Sequence, residues 1–177
     1  MILRHYGALA ESNPYSVAFA TCAAKGVVAD AASQVLIEHK KIDWKRNFVF
    51  SFYGGFYCGW AQHFIYNVLY TKLFGPETTV VNAARKVVFD SLVHVPFVVF
   101  PVYYAYKGLV YDGVGIRGGL NRCREDIVDM CRRYYTVWIP ANIAVFTFVP
   151  ERFRIAFVAT TSLGWLTLAS FFTHGPS

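Results

Sequence analysis

Val137 to Trp165 reads VWIPANIAVFTFVPERFRIAFVATTSLGW, two apolar blocks divided by Pro150 and the basic residues Arg152 and Arg154. A core helix of a water-soluble protein alternates apolar and polar faces, whereas these blocks are apolar nearly all round, the pattern of a helix solvated by lipid. The first block, 137–149, is short for a crossing, which takes about 20 residues. The second, 153–172, is long enough. The pair is compatible with one kinked crossing, two crossings or a re-entrant element.

The same texture extends toward the N-terminus. The chain has 177 residues, 55% of them hydrophobic and only 16% charged, well below the roughly 25% charge of soluble domains. A first span covers 14–37 and closes on His39, Lys40 and Lys41. The second, 47–71, holds no Lys, Arg, Asp or Glu, and Gly75 and Pro76 follow it. The third, 87–106, is flanked by Lys86 and Lys107, which can snorkel to the two interfaces. Aromatic residues make up 18% of the chain and gather near segment ends, as in Tyr103, Tyr104 and Tyr106, or Tyr134, Tyr135 and Trp138, where interfacial belts form.

One segment differs. Over 120–134 the apolar residues Leu120, Cys123, Ile127, Cys131 and Tyr134 share a helical face, with Arg122, Arg124, Asp126, Asp129 and Arg133 elsewhere, which predicts an amphipathic helix in the membrane surface or capping the bundle. The fold class is therefore all-α, a single integral membrane domain of about four crossings, possibly five, with one interfacial helix.

A net charge of +6 would suit nucleic acid if it formed one solvated stripe. The basic residues instead sit in short groups between apolar blocks, where anionic headgroups attract them, so the expected partner is the lipid bilayer and not nucleic acid. Their excess places the loops around 38–46 and 107–133 on the matrix or cytosolic side. Cys22, Cys58, Cys123 and Cys131 form no C-x-x-C pair and read as buried thiols. Gly113 to Gly118 matches G-x-G-x-x-G, yet an apparent membrane span precedes it where the dinucleotide fingerprint needs a β-strand, so 112–119 reads as a loop.

Ionisable groups at the centre of a span cost about 2.5–3.5 kcal/mol each, so the polar residues inside spans constrain the interior. Gly26, Asp30, Ser33 and Gln34 share one face of the first span, with Lys25 on the other side. Ser51, Gly55, Gly59, His63 and Asn67 form an unbroken i+4 row in the second. Gly55 and Gly59 suit close helix packing there, and His63 and Asn67 either continue that packing or border a water-lined path. Asp90 and His94 lie one turn apart, with Pro96 beyond. Such a pair can orient a tautomer or carry protons, but a metal site needs further ligands that the sequence does not supply. The sequence favours an interhelical hydrogen bond from Asp90 to Lys25, Gln34 or a backbone group. No nucleophile–base or metal constellation is evident, so neither enzymatic activity nor a cofactor is expected.

Trp138, Asn142, Phe146, Val149-Pro150, Arg154 and Gly164-Trp165, with Ser170 beyond, resemble the tail signature of the small organelle membrane proteins named for Mpv-seventeen and the twenty-two-kilodalton peroxisomal membrane protein. Ala29-Asp30 with Gln34, Tyr66 to Leu69, and Lys86, Asp90-Ser91 and Pro96 resemble that family's upstream motifs. Pro140 falls one place later than in the family, and Asn142, Val145 and Ser91 replace its Gln, Asn and Gln, the mark of a divergent member. The resemblance implies a non-enzymatic, pore-forming protein of the mitochondrial inner membrane, or alternatively the peroxisomal membrane, linked to membrane potential, metabolite balance and organelle nucleotide supply. The leading expectation is a weakly selective channel for small solutes, within one bundle or a homo-oligomer, with Asp30, Gln34, His63, Asp90 and Asn142 as candidate lining groups. A non-transporting assembly protein and a carrier of small anionic metabolites are the rivals.

Overall fold

The computed structural model describes residues 2–76 and 79–174, with side chains described over 4–36, 38–76 and 79–163. The described chain is helical, without strands: α1 (Ile2–Ser12), α2 (Pro14–Ala32, continued by Ser33–Ile37), α3 (44–74), α4 (Val80–Val110), α5 (Gly115–Thr147) and α6 (Glu151–His174). Local signals set the ends. Pro14 occupies the first turn of α2, where its missing N–H costs nothing. The Asp43 carboxylate caps α3 by accepting from the Arg46 N–H at 3.1 Å, and Thr79 caps α4 through the Asn82 N–H at 3.3 Å. Gly75, at φ 91°, ends α3 in a conformation that favours glycine.

Among the described residues α4 is the one helix that meets a length-and-hydropathy test for crossing a bilayer. α3 has a lower mean hydropathy because its phenylalanines are diluted by Gly54, Gly55, Gly59, several tyrosines and the polar Asn47, Gln62, His63 and Asn67. Phe48, Phe52, Phe56 and Trp60 stand exposed along one side, their rings stacked at centroid spacings of 6.1, 6.3 and 5.8 Å. A continuous exposed apolar surface of this kind suits lipid.

Contacts gather into two compact units. One comprises residues 1–76 and 148–177, and the other 77–147. In the first, α2 and α3 run antiparallel in strict register: Gly26 faces Ser51, Ala23 and Phe19 face Gly55, Ala18 faces Gly59, and Tyr15 meets His63 with ring centroids 4.9 Å apart. A Cβ on Gly55 would sit 2.9 Å from the Phe19 ring, and one on Gly59 would strike the Ala18 carbonyl. The row from Ser51 to Asn67 is thus the packing face of α3. α6 covers α2 on another side, with Ile155 and Ala159 against Ala18 and Cys22. The helix α1, which the sequence reading left unassigned, is tied to this unit by a Tyr6–Thr21 hydroxyl bond of 3.1 Å, by Tyr6 stacked on Phe153, and by a Glu11–Arg152 ion pair.

The second unit is a helical hairpin. Gly108 and Gly119 let α4 and α5 approach so closely that a Cβ on Gly108 would come within 2.9 Å of the Gly119 backbone. Below that crossing Val95, Phe100 and Cys123 form a core, with Ile127, Met130, Cys131 and Tyr134 packed against it.

Two expectations need correction here. The loop expected at 112–119 shrinks to a short turn around Gly113, because helix α5 already begins at Gly115, and Gly119 serves as a packing residue. The amphipathic stretch 120–134 exists with the apolar face expected, but it is not a separate interfacial helix. It runs without interruption into the apolar block, since nothing between Tyr134 and Val137 ends a helix and Pro140 is accommodated inside α5. The helix break falls later, at 148–150, so the two apolar blocks of the tail lie in two helices.

Replacing Gly59 by leucine forces apart the backbones of α2 and α3, and the expected loss is about 1–3 kcal/mol, the usual range for overpacking. Thermal unfolding of the purified protein in detergent, compared with an exposed control such as Phe56→Leu, measures it. Equal midpoints for the two variants would refute the close approach.

Candidate functional site

Polar side chains inside the helices collect in three places, two in the first unit and one in the second. The most deeply buried is in the hairpin. Lys86, Asp90 and His94 recur every fourth residue on α4, and all three are buried, Asp90 completely. Asp90 Oδ1 pairs with His94 Nδ1 at 2.8 Å, while its other oxygen accepts from Asn142 Nδ2 of α5 at 2.9 Å. The Lys86 ammonium lies 5.8 Å from the Phe146 ring centroid, a cation–π distance. At the residue after Asp90, the Tyr135 hydroxyl donates to the Ser91 carbonyl at 2.6 Å.

The backbone explains part of this arrangement. From Asp90 to Val99 the helix widens to π geometry with Pro96 inside it. Proline cannot donate to the ladder and its ring crowds the preceding turn, so a wider turn relieves the clash and frees carbonyls such as that of Ser91 for side-chain donors. π-Helical turns recur at functional sites. Asn142 Oδ1 makes no protein hydrogen bond among the described residues. Leaving such an atom buried costs about 1–3 kcal/mol, which the bond to Asp90 must offset.

The second cluster joins α3 to α6. Arg154, almost fully buried, donates from Nη1 to Asn67 Oδ1 at 2.9 Å, and Asn67 Nδ2 lies 3.0 Å from His63 Nδ1. His63 and Asn67 also line a cleft of about 530 Å³, with Glu11, Glu151 and Arg152 supplying charge of both signs at its walls. The third cluster closes the connection between α2 and α3. Buried Gln34 reads the backbone of Asp43, its Oε1 accepting the N–H at 2.5 Å, and donates to Asp30 at 2.6 Å. Arg46 bridges Asp30 at 3.0 Å and Glu38 at 2.7 Å. The Arg46 hydrogen bond holds the Glu38 carboxyl below the usual carboxylate range.

The structure thus joins Asp90 with His94 and Asn142, His63 with Asn67, and Asp30 with Gln34. Within the hairpin the interhelical bond of Asp90 is the one to Asn142. Gln34 is taken by Asp30 and Asp43, and Lys25 reaches Ser162 of α6 at 3.2 Å. Among the described residues no three His, Cys, Asp or Glu side chains converge as a metal site would require. The family-motif residues serve packing and these clusters. Tyr66 is fully buried against Tyr70, Trp138 stacks on Tyr134, and Phe146 and Arg154 occupy the positions already given, whereas Pro150 precedes α6. The Trp165 side chain lies outside the described residues. Arg46, Glu38 and Tyr135 join these clusters without being among the site residues expected from the sequence; the i+8 spacing of Glu38 and Arg46 across a short connection is the available signal for two of them.

Residues 110–170 match the Mpv17 / PMP22 family. The chain is 26% identical over 167 residues to the mitochondrial inner membrane protein Mpv17 of Danio rerio, an alignment covering 92% of this chain and 91% of that protein. It is 25% identical to Protein SYM1 of Debaryomyces hansenii, over 71% of this chain and 65% of that protein, and 24% identical to PXMP2/4 family protein 3 of Dictyostelium discoideum, over 88% and 82% respectively. No solved structure matches.

Two outcomes follow from the geometry. Asp90→Ala strips His94 and Asn142 of their shared acceptor and should destabilise the protein by about 1–3 kcal/mol, with Asp90→Asn costing less because one oxygen still accepts; thermal unfolding of both variants tests the order. Because Glu38 has a depressed pKa when folded, its contribution is complete above the ordinary carboxylate pKa and is lost as pH falls through the depressed value. Protection of amides 38–43 against exchange, corrected for the intrinsic rate at each pH, should therefore fall on acidification, and Glu38→Gln should remove most of that pH dependence.

Proposed function

We propose that this chain, a divergent Mpv17 / PMP22 family protein of an organelle membrane, is a weakly selective channel for small solutes in the mitochondrial inner membrane, and that it has no enzymatic activity. The location follows the name of the Danio rerio relative, and the PXMP2/4 relative makes the peroxisomal membrane the alternative. The observation that carries the channel reading is the cleft ending on His63 and Asn67. Hydrogen-bonding side chains within a segment that otherwise holds no Lys, Arg, Asp or Glu are affordable where they meet water. Glu11, Glu151 and Arg152 at the same cleft offer both signs of charge, which favours neither cations nor anions strongly. Buried Asp90, paired and enclosed, is then a gate or a stabilising element and not an open pore wall.

Purified full-length protein in planar bilayers should show unitary conductance, and His63→Leu with Asn67→Leu should reduce it by at least about twofold while the protein still inserts. Asp90→Asn should shift ion preference or open probability. A silent bilayer containing folded, inserted protein would sink the channel reading and favour a role in assembly. Saturable, solute-specific uptake into liposomes would favour a carrier.

A further inference from the structure

The hairpin of α4 and α5 contains a mismatch. α4 is the segment best suited to lipid, and from Val88 to Val102 its exposed side is apolar: Val88, Leu92, Val93, Phe97 and Val102 all stand open. Its partner α5 carries an exposed charged stripe at helical spacing, Arg122, Glu125, Asp126, Asp129, Arg132 and Arg133. Side-chain contacts fix the register between the two. Tyr104 donates to Asp126 at 2.8 Å, Phe100 meets Tyr134 edge-on at 5.7 Å, and Tyr135 reaches the Ser91 carbonyl. The stripe therefore runs alongside the 87–106 span, from the level of Tyr104 toward that of Ser91, and does not project beyond the end of α4.

Charges at that depth cannot face hydrocarbon at about 2.5–3.5 kcal/mol apiece. A second copy of the chain is a poor cover. A two-fold contact between copies that share one membrane orientation brings each residue level with its own counterpart, so arginines would meet arginines and carboxylates would meet carboxylates. Water meets the whole stripe without that cost.

We propose that the Arg122–Arg133 stripe of α5 faces water inside the bilayer, as one wall of an aqueous passage for small hydrated ions of either sign. The passage itself rests on the channel reading above; the hydration of the stripe does not. Three arginines and three carboxylates on the stripe cancel, so this wall imposes little charge selection. The apolar side of α4 then faces lipid, and the hairpin partitions the two solvents between its two helices.

The test uses full-length protein in liposomes with nitroxide labels on single cysteines, the four native cysteines having been replaced. Labels at 97 and 102 report the α4 side, and labels at 125, 129 and 133 report the stripe. Collision with a water-soluble nickel chelate should exceed collision with oxygen severalfold at the three stripe positions and reverse at the two α4 positions. Nickel dominance at all five would place this part of the hairpin outside the bilayer, and oxygen dominance at all five would place the stripe in lipid or protein; either overturns the proposal. If the cysteine-free protein does not fold, the double variant Arg132→Glu, Arg133→Glu in the native background replaces it. Its reversal potential in a salt gradient should move toward cations, and an unchanged potential with conductance intact overturns the wall assignment. A hydrated stripe in a protein without conductance supports the stripe and defeats only the channel reading.

Discussion

Hydrocarbon does not solvate charge, and the placement of Asp90 follows from that constraint. The carboxylate sits in the most lipid-compatible helix of the chain and is enclosed between His94 of its own helix and Asn142 of the next, with Lys86 one turn away. Asn142 is reachable only because α4 and α5 come close, and they come close because Gly108 and Gly119 remove side chains from the crossing. Buried ionic groups are weak evidence for net stability, since their desolvation is costly. Their effect here is positional: a sliding of α5 along α4 by one turn would take Asn142 away from Asp90 and Tyr135 away from Ser91 together.

The first unit solves the same problem differently. Its packing face is made from small residues, so that α2 and α3 meet backbone to backbone, and its polar groups are moved to the ends, where Gln34, Asp30 and Arg46 close one connection and Arg154 holds Asn67 at the other side of the unit. Large rings are then left for the surface. The stacked series from Phe48 to Trp60 is the counterpart of the glycine row: one side of α3 is stripped for contact with protein, and the opposite side is filled for contact with lipid.

Periodicity and composition made the helical, membrane-embedded character legible, and the i+4 row of α3 could be read residue by residue because Ser51, Gly55, Gly59 and His63 each face a matching residue of α2. The Asp90–His94 pair was equally legible, being local. Long-range partners were not. Nothing in the spacing says that Asp90 meets Asn142 or that Lys25 meets Ser162, because those contacts depend on how helices are paired. The boundary errors have a common cause as well. Charged residues before Trp138 and glycines after Asp112 look like punctuation, yet a helix tolerates both when one face is packed, and α5 has the Val95, Phe100 and Cys123 core to pack against.

The order in which these parts appear along the chain bears on how the protein is made. The hairpin is continuous in sequence, whereas the first unit draws on both ends: Asn67 and Arg154 are separated by 87 positions, and Lys25 and Ser162 by 137. A nascent chain released after the hairpin but before Pro150 would carry both His94 and Asn142 for Asp90, yet Asn67 would lack its guanidinium and α2 would lack the cover of Ile155 and Ala159. Late premature stop codons should therefore yield products with an intact hairpin and an unfinished first unit, open to quality-control proteases along α2.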